Sequence, residues 1–166
     1  VCGAFFVLLR RRRPGSPAFP HAAVFRSKGS EKNVEVIRRL PLGSGMLSGK
    51  LSADSVFSEN DHRSFSQNGE LFNIGETFAG LGLGKGAELA EELRKYVPEN
   101  LNMAEFALRW ILDFDEVTTI IPGASRAEQA KANFAVSDLP SLPDELHERL
   151  NAFYEQKVEE NIRGPY

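Results

Sequence analysis

Residues 121–126, Ile-Pro-Gly-Ala-Ser-Arg, bring together the groups that an anionic ligand needs. A β-branched run, Val117 to Ile121, leads into them, and a helical pattern through Ala130 and Phe134 follows. A helix starting here presents unpaired backbone N–H groups and the positive end of its dipole. Ser125 adds a hydroxyl, and Arg126 a guanidinium whose planar fork suits phosphate. Gln129 and Asn133 lie at i+4 and i+8 from Ser125, on one helix side, as amides able to hydrogen-bond an adenine edge. The same segment also reads as a well-capped surface helix, because Ser125 and Glu128 form a capping-box pattern.

A second segment, Pro41-Leu42-Gly43-Ser44-Gly45-Met46-Leu47-Ser48-Gly49-Lys50, follows a short apolar run. Its small residues let a pyrophosphate approach the backbone, and Lys50 can neutralise it; the plain alternative is a strand-to-loop turn. A P-loop is excluded in both places where lysine follows glycine. Five residues separate Gly43 from Gly49 and Leu51 replaces the hydroxyl residue; Gly84-Lys85 is followed by Gly86, with Ala79 where the first glycine belongs. Gly80 to Gly86 follows no strand and is mis-spaced for a dinucleotide fingerprint, so it reads as loop.

Composition bounds these readings. The 166 residues suffice for one domain with a core, and 42% hydrophobic with 26% charged residues is ordinary for a soluble globular chain. Cys2 is the one cysteine, which excludes an internal disulfide and suits a reducing compartment; a cytoplasmic location is expected. The three histidines are scattered, without metal-ligand spacing. Residues 1–40 hold nine Lys/Arg against two Asp/Glu, a net +7 that leaves −10 for the remainder. The run Arg10 to Arg13 follows the apolar stretch Val1–Leu9, the reverse of a signal peptide, and nine residues are too few to span a bilayer. Neither a membrane nor a nucleic acid is the expected partner.

The elements that must position these groups follow from pattern. Residues 10–33 have no hydrophobic period and read as loop. Val34, Val36 and Ile37 begin a buried strand that runs toward Leu42. Residues 52–83, rich in Ser, Asn, Asp and Gly, form a long loop of the kind that is usually functional. Ala87, Leu89, Ala90, Leu93 and Val97 predict a helix that stops at Pro98, and Asn102 with Glu105 opens another through Leu112. Val117–Ile121 predicts a buried strand, and a last helix runs from about Pro143 to Val158. Strands alternating with helices, each strand entering a glycine turn, predict parallel β/α units.

Four motifs, PLGSGMLSGK (41–50), ENDHR (59–63), ALRWIL (107–112) and IIPGASRAEQAKAN (120–133), together resemble the aldo/keto reductase family, in the branch of bacterial oxidoreductases and potassium-channel β subunits. The resemblance covers about residues 40–158 and places the motifs at the seventh and eighth strands, with the cofactor loop between. It implies an α/β fold, the C-terminal part of a (β/α)₈ TIM barrel, and NADPH (NADP+) as cofactor. Pro41, Leu42, Gly43, Ser44 and Lys50 are then the wall along the nicotinamide ribose and pyrophosphate, with Arg63 a basic contact on the loop. Ser125 and Arg126 grip the 2′-phosphate, while Gln129 and Asn133 meet the adenine. Ala132 departs from the pattern, since many relatives carry Glu there, and the resemblance implies that one ribose or adenine contact is lost or replaced.

The family reduces carbonyls by hydride transfer with a tyrosine, lysine, aspartate and histidine from the first half of its barrel. This chain offers no counterpart: Tyr96 and Tyr154 fall on predicted helices, Tyr166 is in the tail, and His62 reads as solvated. The expected division is a non-family segment 1–36, a partial reductase domain 37–158 and a tail 159–166, from a truncated or mis-spliced product. The expected activity is that of an NADP(H)-dependent oxidoreductase lacking its catalytic half; a small carbonyl substrate enters only if that half is supplied. The alternative is a non-catalytic NADPH-binding or interaction protein.

Overall fold

The strand β1 (Ile37–Arg39) and the strand β2 (Thr119–Ile121) pair in parallel, with Ile37 opposite Thr119, Arg38 opposite Ile120 and Arg39 opposite Ile121. The structure, a computed structural model, describes residues 37–71, 74–115 and 117–163. Val34 and Val36, expected to begin the first strand, lie outside them. Among the described residues five α-helices accompany the strands: α1 (His62–Phe65), α2 (Leu83–Leu93), α3 (Met103–Leu112), α4 (Ala127–Ala135) and α5 (Asp144–Phe153). The loop expected over 52–83 also contains short 3₁₀ turns at Ile74–Glu76 and Phe78–Gly80. The last helix is regular only to Phe153 and continues as a wider, π-type turn over Tyr154–Val158.

Both strands were expected to be buried, and the structure corrects this. Ile37 is 54% and Ile121 56% exposed, whereas Ile120 packs on the core. Side chains alternate across a strand, so a two-stranded sheet covered on one face buries only every second residue. Here α3 backs β2, and no described element covers the face carrying Ile37 and Ile121. β-branched composition identified β2 as a strand without showing which residues point inward.

The core is built on α3. Met103, Phe106, Ala107, Trp110 and Ile111 recur at helical spacing and are all buried, against Leu89 and Leu93 of α2 and Leu150 and Phe153 of α5. The predicted capping box starts α3: Asn102 Oδ1 accepts from the Glu105 N–H at 3.0 Å and Glu105 Oε2 from the Asn102 N–H at 2.9 Å. The stretch Gly80 to Gly86, expected as loop, enters α2 at Leu83. Gly86 fits inside that helix because of Met46, since a Cβ at residue 86 would lie 2.5 Å from Met46 Cε. The segment 41–50 is therefore seated directly on the core, with Met46 and Leu47 buried.

At the C-terminal end of α3 a polar network replaces apolar packing. Arg109 donates to Asp113 Oδ1 through Nε at 3.1 Å and Nη2 at 3.0 Å, and to the Leu139 carbonyl at 3.2 Å. Asp113 Oδ2 accepts from the Leu142 N–H and lies within hydrogen-bond distance of His147 Nε2, each at 3.0 Å. The His147 ring stacks on Trp110, centroids 6.1 Å apart. The Asp113 side chain is 5% exposed, so its charge is tolerable only because every neighbour answers it. Burial pushes the Asp113 carboxyl up, but the bonds from His147 and Leu142 and the Arg109 charge outweigh this and hold it below its ordinary value. A lowered folded value means that the stabilisation is complete above the unfolded value and is lost as pH falls through the folded one. Asp113→Asn should thus cost roughly 3 kcal/mol near neutrality, with the gap to wild type closing below about pH 4. Urea midpoints measured across that range check this, and a gap independent of pH would contradict it.

Candidate functional site

The parallel register decides where the two candidate segments lie. Arg39 and Ile121 are partners at the strand ends, so Leu40 and Pro122 leave the same sheet edge from adjacent positions. Neighbouring strands lie about 4.8 Å apart. The segments 41–50 and 122–126 therefore emerge side by side at the C-terminal ends of parallel strands, the end at which barrels and open α/β sheets build their sites.

The first segment is a succession of tight left-handed turns. Leu40, Gly43, Ser44, Gly45 and Gly49 all have positive φ, between 51° and 93°. Glycine adopts this freely, whereas Leu40 and Ser44 need outside support. Ser44 has it, since its hydroxyl donates to the Glu76 carbonyl at 3.2 Å and its own carbonyl lies 3.5 Å from Arg63 Nη1. Pro41 and Gly43 are buried, Leu42 and Ser44 half-buried, and Lys50 is exposed with its backbone N–H on Ser48 Oγ. Backbone and small side chains thus form a wall, with Lys50 at its far end.

Arg63 reaches that wall from α1 and is not a free cation. Asp61, the residue preceding α1, accepts from Arg63 Nη2 at 2.6 Å and from Nε at 3.0 Å, and also caps the Arg63 N–H at 2.9 Å. The guanidinium lies 4.3 Å over the Phe57 ring. The hydrogen bond from Arg63 drives the Asp61 pKa down to about 2, against a weaker opposing effect of burial. Asp61, inside the motif ENDHR, is not among the expected site residues, although the Asp-x-Arg spacing at a helix start signals its pairing with Arg63. Glu76, 32 residues from Ser44, left no sequence signal at all.

The second segment gathers three of its predicted residues around one turn. Gln129 Oε1 accepts both the Ser125 N–H and the Ser125 hydroxyl at 2.9 Å, and Asn133 Nδ2 donates to the Gly123 carbonyl at 3.3 Å. The expected capping box of Ser125 with Glu128 is not formed. Arg126, which has no acceptor to offer, is the residue before α4, in extended conformation and without a side-chain cap; the Ser125 hydroxyl, one residue further out, donates to Gln129 Oε1. Arg126 is exposed, and nothing lies within 4 Å of a Cβ placed on Gly123, so this approach is open. The helix behind it, nine residues long, contributes no buried side chain and presents its first turn to solvent.

The matching family model is that of the aldo/keto reductase family, over residues 21–155. The chain belongs to the aldo/keto reductase family. The matched span takes in residues 21–36, ahead of the first motif at Pro41. Comparison with curated proteins returns no match. Membership implies a TIM-barrel fold, with which the parallel pair and its helices are compatible, and suggests NADP-dependent oxidoreductase activity. Among the described residues no group of three His, Cys, Asp or Glu side chains is placed to hold a metal, and no helix is long and apolar enough to cross a membrane.

The double acceptance by Gln129 makes a local prediction. Gln129→Ala should leave the Ser125 N–H and hydroxyl to water and loosen residues 123–126, at about 0.5–1 kcal/mol for an exposed pair of bonds. Hydrogen exchange should show the Ser125 amide losing protection while the melting temperature hardly moves; unchanged protection would contradict the assignment.

Proposed function

We propose that this chain is the NADP(H)-gripping part of an aldo/keto reductase, taking NADPH in preference to NADH. The observation that supports this reading is the shared edge: the wall 41–50 and the turn 122–126 leave adjacent parallel strands at the same end. Residues fit the cofactor group by group. Pro41, Leu42, Gly43 and Ser44 offer close backbone approach to a ribose and pyrophosphate, with Lys50 as counter-charge and Arg63 bracing the turn. Ser125, Arg126 and the open N-terminus of α4 suit a 2′-phosphate, and Gln129 and Asn133 stand one and two turns further along for the adenine. The nicotinamide, when bound, supplies the hydride. This chain's own residues bind and orient.

The finer assignment is an incomplete barrel whose catalytic tyrosine, lysine, aspartate and histidine must come from elsewhere. Tyr96 lies against Phe153 and Tyr154 is buried in the turn after α5, neither at a strand end. The exposed Ile37 and Ile121 favour completion by further structure, since the interior face of a parallel sheet is ordinarily covered. Without that completion the chain acts as a nucleotide-binding protein, and turnover of a small carbonyl substrate by the purified chain would sink this division of labour.

The cofactor choice is tested by Arg126→Ala, followed through the fluorescence of NADPH itself. One charge-assisted phosphate contact is worth about 1.5–3 kcal/mol, so the NADPH Kd should rise roughly ten- to a hundredfold. Binding of NADH should be unaffected. Equal weakening of both nucleotides, or of neither, would overturn the 2′-phosphate role.

A further inference from the structure

Beyond the cofactor residues, Arg163 makes four long-range bonds that join segments far apart in the chain. Its backbone N–H and its Nε both donate to the Gly80 carbonyl, at 3.1 Å and 3.0 Å. Its Nη1 donates to Asn68 Oδ1 at 2.9 Å and its Nη2 to the Gln67 carbonyl at 3.3 Å. Asn68 is itself oriented, because its N–H and its Nδ2 donate to the Glu70 carboxylate. The residue before Arg163, Ile162, packs against the core, which anchors the arginine at its base.

Gly80 belongs to the most strained run among the described residues. Phe78 and Ala79 have φ of 51° and 54°, Gly80 and Gly82 of 76° and 78°. Two consecutive non-glycine residues in the left-handed region persist only when their surroundings over-determine them. Phe78 and Ala79 are buried at one side, and Arg163 fixes the Gly80 carbonyl at the other. Upstream of the same run, the Glu76 carbonyl receives the Ser44 hydroxyl. A continuous physical path therefore runs from Arg163 through Gly80 and Glu76 to the wall residue Ser44.

We propose that Arg163 is a positioning residue for the cofactor wall: its fork fixes the Gln67–Asn68 turn and the 78–82 run, and through Glu76 that run sets Ser44. This rests on the proposed reading that Ser44 lines the NADP(H) site. Arginine is required because three separate nitrogens meet three acceptors in fixed directions, which a lysine ammonium cannot do. Glycine at position 82 is part of the fit, since a Cβ there would lie 3.1 Å from Arg163 Nη2.

The test uses the full chain, with Arg163→Ala and Arg163→Lys, and reads hydrogen exchange without nucleotide beside an NADPH titration. Both variants should exchange faster at 67–71, 78–82 and 43–45 by roughly tenfold, the scale of one net hydrogen bond. Their NADPH affinity should fall severalfold while exchange in α3 stays as in wild type. Protection unchanged in Arg163→Ala, or fully restored in Arg163→Lys, would overturn the proposal, and so would loosened turns with unaltered NADPH affinity. Should Arg163→Ala fail to fold, Asn68→Ala carries the test. Removing that acceptor should loosen 78–82 through the arginine, and an effect confined to 67–71 would count against it. A wild-type chain that binds no NADPH removes the proposed function alone, and the exchange comparison then judges the positioning role.

Discussion

Everything at the candidate site depends on three residue pairs in the parallel ladder between β1 and β2. Parallel pairing points both strands the same way, so the loops that follow them must share an edge. Antiparallel pairing of the same residues would send Leu40 and Pro122 to opposite ends of the sheet, and the two sets of ligand-type groups would never meet. The ladder is short, and nothing in three residues of backbone pairing makes it independently stable. Its orientation is held instead by what lies behind it, where Ile120 packs into the core and α3 backs β2.

That makes α3 the beam of the structure. Phe106 and Trp110 are fully buried at its centre, its N-terminus is closed by the Asn102–Glu105 box, and its C-terminus is held by Asp113. The Asp113 network is the costlier device, since two charges are taken nearly out of water. It does what apolar packing cannot: it fixes the direction in which the 139–142 turn leaves, through the Leu139 carbonyl and the Leu142 N–H, and so aims α5 back across Trp110. Non-directional burial would hold these elements together without fixing their angles.

What was legible in the sequence follows a simple physical division. Local signals held in part: Asn102 and Glu105 are three residues apart, and the box they predict forms; the helix before it is regular only to Leu93 and ends in a 3₁₀ turn over Arg94–Tyr96, ahead of Pro98; of the run 117–121 the last three residues are strand. Ser125 and Glu128 have the same spacing and do not form a box, because the helix starts one residue later, with Arg126 in the capping position, and the Ser125 hydroxyl donates to Gln129 Oε1. The burial of the strands was misjudged because composition reports strand propensity, whereas exposure depends on what covers each face. Residues joined across the chain were invisible: Asp113 with His147 over 34 positions, Ser44 with Glu76 over 32, and Arg163 with Gly80 over 83. The proposed grip residues Ser125, Arg126, Gln129 and Asn133 stood out because they fall close together at the start of one helix and along it, and match a family pattern; the residues that hold them and the wall in place did not, because those come from elsewhere in the fold.

The distribution of charge at the shared edge has its own logic. A wall built from left-handed turns is costly at Leu40 and Ser44, and a cation left free beside it would pull on whatever anion came near. Arg63 avoids that conflict because Asp61 takes its charge, with a carboxyl that stays ionised down to a pKa of about 2. Arg63 can then act on Ser44 by position, with its face on Phe57 and one nitrogen toward the Ser44 carbonyl. Lys50 and Arg126 are both exposed and bound to no carboxylate among the described residues. On the proposed reading, the cations that build the wall are paired within the protein and those that attract the ligand are not. Discrimination by the 2′-phosphate then rests on Arg126 at the tip of α4, outside the strained wall, where its side chain can move to a ligand without disturbing the turns that position Ser44.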